Sequence, residues 1–414
     1  MNALRVIVVG GGAAGFFAAI TCAEASPEAE VMVLERTPRF LAKVRISGGG
    51  RCNVTHACFD PREFTMRYPR GEKELIGPFQ KFSAEDTVAW FAARGVRLKT
   101  ESDGRMFPAT DSSQTIIDCL LHAAQAAKVK LVPNCGVERV ARVADGFELT
   151  LTPESNDKAA APLRCDRLLL ATGGCRSVTA GQLAVSLGHT LVAPVPSLFT
   201  FQIAAPWLHE LAGVSLVDTE VSVPGEGLNA RGPLLVTHWG LSGPAVLRMS
   251  AWGARKLHAR NYHFPLLVNW LPMLSSEAIA RAFQLQRATQ GAKLVVNAPL
   301  TPLTARLWEA LVLKADISRD TRWSTLTRAQ QHQLGQQLTQ TELAVTGKSL
   351  NKEEFVTCGG VQLAEVNFKT MASRVSPGLH FAGELLDQDG ITGGFNFQAA
   401  WTTGWIAGQA MAAV

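Results

Sequence analysis

Three glycines near the start of the chain have the spacing of a phosphate-binding turn. Gly10, Gly12 and Gly15 form the pattern Gly-x-Gly-x-x-Gly, with a β-branched run before it and an alanine-rich apolar segment after it. Glycines at these positions allow a tight turn, let backbone N–H groups approach a pyrophosphate, and let a helix pack closely on a strand. The positive end of the helix dipole also favours an anion there. The pattern therefore predicts that the chain binds a dinucleotide.

Glu35 supplies a second feature of such a site. It lies 20 residues after Gly15 and directly follows the β-branched segment 31–34. A carboxylate at this point accepts hydrogen bonds from both hydroxyls of an adenosine ribose and repels a 2′-phosphate. Glu35 therefore favours FAD or NAD over NADP at this position.

The segments around these residues predict the order strand, turn, helix, strand. Residues 5–9 predict a strand, residues 16–25 a helix, and residues 31–34 a second strand. Together they form a βαβ unit of about 30 residues, which is the size that the dinucleotide fingerprint requires. Because glycines interrupt the apolar run, we do not interpret this segment as a signal peptide.

Two later glycine turns decide which dinucleotide is bound. Strand 167–171 leads into Thr172, Gly173 and Gly174, and the segment Phe381–Asp387 forms a third element close to the end of the chain. A strand at 378–382, a glycine-rich turn at 390–394 and an apolar helix complete this region. A flavin needs contacts along its whole length, so these elements favour FAD as the resident cofactor.

The middle of the chain differs in pattern from both ends. From about residue 194, proline-punctuated alternating segments predict an inserted antiparallel β domain over 194–274, and helical periodicity predicts a helical subdomain over 275–342. Residues 1–193 and 343–414 then form one split FAD-binding domain. Smaller predictions are a hairpin turn at Asp145-Gly146, a helix capped by Ser83, and a surface loop over 153–162.

Composition sets broader limits. With 414 residues, 47% hydrophobic and 18% charged, the chain has the profile of a globular enzyme of two or three units. Eight cysteines without a CxxC pair favour a reducing, cytoplasmic setting, and no metal-binding spacing is present. Gln398 and Gln409 dilute the apolar C-terminal run, which therefore predicts a docking helix and not a membrane span. The net charge of +5 allows anionic partners without requiring them.

Four stretches together carry a family resemblance: the N-terminal fingerprint, Ile46–Thr55 (ISGGGRCNVT), Thr237–Ala245 (THWGLSGPA), and Gly383–Asp387 followed by Gly393–Gln398. On these residues the chain resembles the BaiN/YhiN-type flavoproteins, the FAD-binding enzymes of the aminoacetone oxidase group, over nearly its whole length. The resemblance implies an α/β fold: a split Rossmann-like FAD-binding domain of the glutathione-reductase type, with an inserted antiparallel β-barrel-like domain and a small helical subdomain.

The resemblance also implies a set of site residues. Gly383, Glu384 and Asp387 are expected near the ribityl chain and pyrophosphate, and Gly393-Gly394 should present a helix N-terminus to the flavin ring, where it stabilises negative charge on the reduced flavin. The full set of expected cofactor-binding residues is Gly10, Gly12, Ala14, Gly15, Glu35, Arg36, Lys43, Ser47, Gly49, Gly50, Asn53, Val137, Thr172, Gly173, Gly174, Gly383, Glu384, Asp387, Gly393, Gly394, Phe395 and Asn396.

Two residues of the glycine-rich segment are candidates for catalysis. Cys52 is either a proton donor to a substrate carbon after hydride transfer or a buried structural cysteine. Arg51 is either a site residue or a structural one. His56, His238 and Cys358 are interpreted as packing or hydrogen-bonding residues.

The leading functional hypothesis is a reductase in which FAD, reloaded by transiently bound NADH or NADPH, reduces a C=C bond. The resemblance to the BaiN/YhiN-type family implies one of two substrates, a uridine of 23S ribosomal RNA or a steroid-like enone. The RNA substrate is favoured by four basic residues near the glycine-rich segment, Arg62, Arg67, Arg70 and Lys73, although these residues also fit a solvated basic face. An aminoketone oxidase and a flavin-bearing protein without turnover remain alternatives, and the oligomeric state is left open.

Overall fold

The computed structural model describes residues 3–153, 162–175, 178–349 and 356–413. The strands are β1 (Arg5–Val9), β2 (Glu30–Leu34), β3 (Thr55–His56), β4 (Leu98–Thr100), β5 (Arg105–Pro108), β6 (Lys130–Val132), β7 (Val137–Val143), β8 (Gly146–Leu151), β9 (Leu163–Cys165), β10 (Arg167–Leu170), β11 (Leu191–Ser197), β12 (Thr200–Ile203), β13 (Ser215–Val223), β14 (Leu228–Thr237), β15 (Gly240–Ser242), β16 (Phe264–Asn269), β17 (Thr341–Ser349), β18 (Val356–Val361), β19 (Val366–Asn367), β20 (Ala372–Ser373) and β21 (Leu379–Phe381). The helices are α1 (Ala13–Ala25), α2 (Ala42–Gly50), α3 (Pro61–Thr65), α4 (Ile76–Lys81), α5 (Ala84–Ala92), α6 (Ser113–Ala126), α7 (Val178–Ser186), α8 (Pro206–His209), α9 (Pro244–Trp252), α10 (Ala254–Ala259), α11 (Ser276–Gln290), α12 (Ala305–Lys314), α13 (Arg328–Thr339) and α14 (Phe395–Ala412).

The chain divides into two compact units, one formed by residues 1–196 with 352–414 and the other by residues 197–351. The first unit is built on a sheet in the order β19-β20-β21-β10-β1-β2-β6. Strands β21, β10, β1, β2 and β6 run parallel. The predicted βαβ unit and the return of both later strands to the first sheet are thereby confirmed. Residues 6–9 are buried, as in parallel strands covered on both faces.

Helix α14 packs along α1 with unusually close backbones. A Cβ atom added at Gly404 would lie 2.5 Å from the carbonyl oxygen of Ala14, and one added at Gly408 would lie 2.6 Å from that of Ala18. The two glycines therefore let the last helix lie directly on the first, which confirms the predicted docking helix. None of the described helices is long and apolar enough to cross a membrane.

The second unit is a closed antiparallel barrel in the order β12-β15-β14-β13-β16-β17. Helices α11, α12 and α13 lie between β16 and β17 in sequence, and Ser275, Thr304 and Thr327 cap their N-termini. The sequence pattern predicts a return to the FAD-binding domain at residue 343. The structure differs, because β17 pairs with β12 and β16 and completes the barrel. Alternate burial along Thr341–Val345 is the local sign of this half-buried strand.

One smaller prediction in the first unit is also confirmed, and another is shifted by one residue. Ser83 caps α5 and forms a capping box with Asp86. The β7–β8 hairpin is present, but its turn is Ala144-Asp145 and not the predicted Asp145-Gly146, because Gly146 already pairs with Val143 as the first residue of β8. The predicted surface loop over 153–162 falls mostly outside the described residues.

Candidate flavin site

The first glycine turn joins β1 to α1, and its three glycines have two different environments. A Cβ atom at Gly10 (φ +116°) would lie 2.3 Å from the carbonyl oxygen of Ala171, and one at Gly15 would lie 2.0 Å from that of Gly10. At Gly12 no described atom lies within 4 Å of the added Cβ. Gly10 and Gly15 therefore tighten the turn, and Gly12 borders open space at the N-terminus of α1.

Glu35 is fixed against this turn by three hydrogen bonds. Its Oε2 accepts from the backbone N–H of Gly11 at 2.9 Å, and its Oε1 accepts from the N–H and Oγ1 of Thr37, both at 2.8 Å. Oε2 has one further lone pair for a ligand hydroxyl. Arg36 is exposed next to Glu35, and Val137 begins β7 as a buried residue.

The second glycine turn follows β10 and carries an unpaired polar atom. Thr172 Oγ1 is buried and has no hydrogen-bond partner among the described residues. Gly173 (φ +76°) again borders space free of described atoms, whereas Gly174 packs on Thr357. A buried hydroxyl without a partner calls for a polar group from elsewhere, and a bound cofactor is such a group.

The third element, after β21, reaches both the first turn and α2. A Cβ atom at Gly383 (φ +72°) would lie 3.0 Å from the Ala14 side chain, and the Gly383 N–H donates to Thr403 Oγ1 at 3.0 Å. The Glu384 carboxylate forms an ion pair with Lys43 of α2. The backbone N–H of Asp387 donates to the carbonyl oxygen of Val361 at 3.0 Å.

The glycine-rich segment breaks α2 and passes the same region. Ser47 has ψ +148°, and the three glycines 48–50 have φ values of +57°, +68° and +85°. Added Cβ atoms at Gly49 and Gly50 would meet no described atom within 4 Å. The hydroxyl of Ser47 donates to the Val44 carbonyl oxygen at 2.9 Å and so holds the helix end. This backbone therefore presents an open, side-chain-free face.

The N-terminus of α14 is held in place by its neighbours. In the orientation that its surroundings require, the Asn53 amide donates to the Thr55 carbonyl oxygen at 3.1 Å and accepts from the Gly394 N–H at 3.0 Å. The Asn396 amide exchanges two hydrogen bonds of 2.8 Å with the backbone of Gly390. The Phe395 ring stacks on His56 with centroids 4.9 Å apart. The side chains of Phe395 and Asn396 thereby help to fix the start of α14, and their contacts with a cofactor stay a prediction.

The comparisons with known proteins fit this geometry. Residues 4–410 match the family model described as HI0933-like protein Rossmann domain. The chain belongs to the HI0933-like family. This HI0933-like protein is 29% identical over 418 residues to the 3-dehydro-bile acid delta(4,6)-reductase of Clostridium scindens, covering 99% of each chain. It is also 29% identical over 419 residues to the ribosomal RNA dihydrouridine synthase of Escherichia coli K12, covering 99% of this chain and 98% of that protein.

A solved structure supports the fold alone. The 3-ketosteroid-delta4-(5alpha)-dehydrogenase from Rhodococcus jostii RHA1 aligns with a TM-score of 0.52 and 14% identity, covering 99% of this chain and 97% of that chain. The predicted family resemblance and the Rossmann-type FAD-binding fold with an inserted barrel and helices are confirmed. As a member of this family, the protein is a flavin-dependent oxidoreductase.

Arg51 and Cys52, at the end of the glycine-rich segment, both make contacts within the protein. The Arg51 guanidinium donates to Glu101 at 2.6 Å and lies 4.0 Å from the centre of the Phe107 ring. The Cys52 thiol is 0% exposed within the hydrophobic core, and burial raises its pKa to about 12. A proton donor has to reach the substrate atom that it protonates. This geometry therefore favours the structural interpretation of both residues.

We expect Cys52→Ala to retain FAD and to lower turnover by no more than about threefold, with a stability loss of about 1 kcal/mol from the small cavity. Thermal unfolding and the rate of substrate reduction, compared with the wild type, measure the two effects. A fall in turnover of more than about 100-fold with FAD retained would restore the proton-donor role, since that size is typical of a lost acid.

The sequence does not indicate the contact of Tyr68 with α14, and it suggests an exposed position for Arg70 that the structure does not show. Tyr68 donates its hydroxyl to the Phe395 carbonyl oxygen, a contact across 327 residues that no local pattern signals. Arg70, counted among the basic surface residues, is only 12% exposed and forms an ion pair with the fully buried Asp389. It braces the turn before α14 and is not a surface cation.

Proposed function

We propose that this HI0933-like protein reduces the C5=C6 bond of a uridine in 23S ribosomal RNA, using FAD recharged by NADH or NADPH. The observation that carries the choice of substrate is the match of nearly the whole chain to relatives named ribosomal RNA dihydrouridine synthase. The Haemophilus influenzae protein of that name is 26% identical over 408 residues.

The residues present fit FAD. The open side of Gly12 at the start of α1 suits the pyrophosphate, and the free lone pair of Glu35 Oε2 suits a ribose hydroxyl. The buried Thr172 hydroxyl can pair with the ribityl or pyrophosphate region, next to Gly173 and Gly383. The open backbone of Gly49-Gly50 and the N-terminus of α14 suit the two sides of the ring system.

When bound and reduced, FAD supplies a hydride for the β carbon of a C=C bond conjugated to a carbonyl group. In uracil this carbon is C6; the π electrons move to C5, which takes a proton, and the double bond becomes a single bond. The two electrons come from NADH or NADPH, which leaves oxidised. The protein contributes the helix dipole of α14, whose positive end stabilises negative charge next to the Gly393-Gly394 turn.

A small steroid-like enone is the second candidate, because the Clostridium scindens relative is named a bile acid reductase and has the same 29% identity. An enone takes hydride at its β carbon and a proton at its α carbon, so the same site serves both substrates. The two proposals differ only in what surrounds the reacting bond.

Ribosomal RNA from cells without this chain tests the proposal. We expect 23S RNA from a deletion strain to lack one dihydrouridine, which mass spectrometry of nuclease fragments detects as a loss of two mass units at one uridine. Re-expression of the wild-type chain should restore it, and re-expression of a variant unable to hold FAD should not. An unchanged fragment map would reject the RNA substrate and direct the work to enones.

A further inference from the structure

The net positive charge of this protein comes from one unit. Residues 197–351 contain 14 of the 40 lysines and arginines and 9 of the 35 acidic residues, which leaves 26 of each sign in the rest of the chain. The whole formal excess of +5 therefore lies in the barrel unit. Within that unit, residues 278–308 and 321–341 contain no aspartate or glutamate.

These two acid-free stretches meet in the structure. The N–H of Val295 donates to the Thr321 carbonyl oxygen at 2.9 Å, and the N–H of Trp323 donates to that of Lys293 at 3.1 Å. Leu294 and Arg322 form an antiparallel β-bridge at the same place. Buried Trp323 stacks on Trp308 beneath the bridge, with centroids 6.3 Å apart. The bridge is therefore a rigid platform between α11 and α13.

Four exposed cations lie on this bridge or in the helices that flank it in sequence: Arg287, Lys293, Arg322 and Arg328, which we call the basic clamp. Arg287 donates to the Ser324 carbonyl oxygen at 2.9 Å, and Arg322 donates to that of Ala292 at 2.5 Å. Carbonyl oxygens orient a guanidinium without neutralising it, and its other N–H groups stay available. None of the four pairs with a carboxylate in the part of the chain that the structure describes.

Three other basic residues of this subdomain differ from one another in their partners. Arg319 forms an ion pair with Glu309 at 2.5 Å, and the Lys314 ammonium lies 5.6 Å from the centre of the Trp207 ring. Arg306 donates to the Glu210 carbonyl oxygen. Like charges that are not paired with carboxylates repel one another, and an anionic polymer relieves that repulsion.

We propose that the basic clamp binds the phosphate backbone of the RNA substrate, an inference that rests on the proposed function for the identity of that RNA. Fixed guanidinium groups bind phosphate oxygens through paired N–H donors, and lysine adds a mobile point charge. Such contacts position an RNA without selecting its sequence.

The double variant Lys293→Glu with Arg328→Glu tests the clamp, because neither side chain makes a hydrogen bond to any described part of the chain. The control, Lys130→Glu with Arg139→Glu, makes the same charge change at exposed positions of the other unit. Each FAD-loaded protein is titrated against transcribed 23S RNA at several salt concentrations. We expect the clamp variant to bind at least about tenfold more weakly, with a slope of log K against log salt shallower by about 1.5. The control should stay within about twofold of the wild type.

Flavin absorbance and thermal unfolding show whether each variant is folded. The double variant Lys293→Gln with Arg328→Gln is a milder form, and its slope of log K against log salt should change by about half as much as that of the clamp variant. Binding by the clamp variant equal to that of the wild type, or a wild type that binds no RNA, would overturn the inference. The deletion-strain experiment separates the two proposals. A lost dihydrouridine with an unchanged clamp variant rejects the clamp alone, whereas clamp-dependent binding with unchanged RNA modification rejects only the substrate.

Discussion

Gly12→Ala should weaken FAD binding by about 10- to 100-fold while leaving the fold intact. The Gly12 backbone (φ −91°, ψ −169°) is accessible to alanine, and the added methyl meets no described atom within 4 Å. The methyl would instead occupy the space at the start of α1 where the pyrophosphate is expected. Steric overlap of this kind costs about 1–3 kcal/mol, and each 1.4 kcal/mol is about tenfold in affinity.

Gly15→Ala is the matched control with the opposite outcome. Its methyl would lie 2.0 Å from the Gly10 carbonyl oxygen, a backbone atom that cannot move aside without opening the turn. We expect a loss of about 3 kcal/mol or more in the free energy of unfolding. Urea unfolding of the flavin-free proteins and titration with FAD separate the two effects. If Gly12→Ala retains wild-type FAD affinity, the pyrophosphate does not lie against this turn.

Arg70→Met should destabilise the first unit by about 3–5 kcal/mol, because it leaves the Asp389 carboxylate buried without its guanidinium. The Arg70 Nε lies 2.5 Å from Asp389 Oδ1, and the Asp389 side chain is 0% exposed. Asp389 lies in the segment that leads into the Gly393-Gly394 turn. Loss of the pair should therefore also reduce the FAD that the purified protein retains.

Two controls make this prediction specific. Arg5→Met breaks a pair with Asp166 whose side chains are 46% and 28% exposed, and solvent screening should limit its effect to about 1 kcal/mol. The double variant Arg70→Met with Asp389→Leu removes both charges and should recover much of the lost stability. If Arg70→Met unfolds at the same urea concentration as the wild type, the ion pair does not brace the turn.

Local patterns predicted the parts of this protein that depend on local spacing. The spacing of Gly10, Gly12 and Gly15 predicted the turn between β1 and α1, because few other structures fit a strand, three glycines and a helix in this order. Alternation and helical periodicity predicted the inserted barrel and helices. The residues predicted to bind FAD around the glycine turns lie in one region of the first unit, and their contacts with FAD remain predictions.

Three features depend on contacts between distant residues, which local patterns do not show. The burial of Cys52 depends on the whole core, whereas its neighbours in sequence are glycines and an arginine. Arg70 looked like a surface cation because its partner lies 319 residues away. Most of β17 was predicted to belong to the FAD-binding domain, whereas it completes the barrel. A half-buried strand has the same alternating pattern in either sheet.

The close packing of α14 on α1 also fixes the order in which the two units can be completed during synthesis. The barrel unit is one continuous stretch, 197–351, so all of its strands have been made while residues 352–414 are still missing. At typical elongation rates the remaining residues take roughly 3 to 12 s. During that interval the α1 face around Ala14 and Ala18 lacks its cover. The nascent protein therefore has all of its barrel strands before the first unit has its last helix, and we expect FAD to be retained only after α14 has packed on α1.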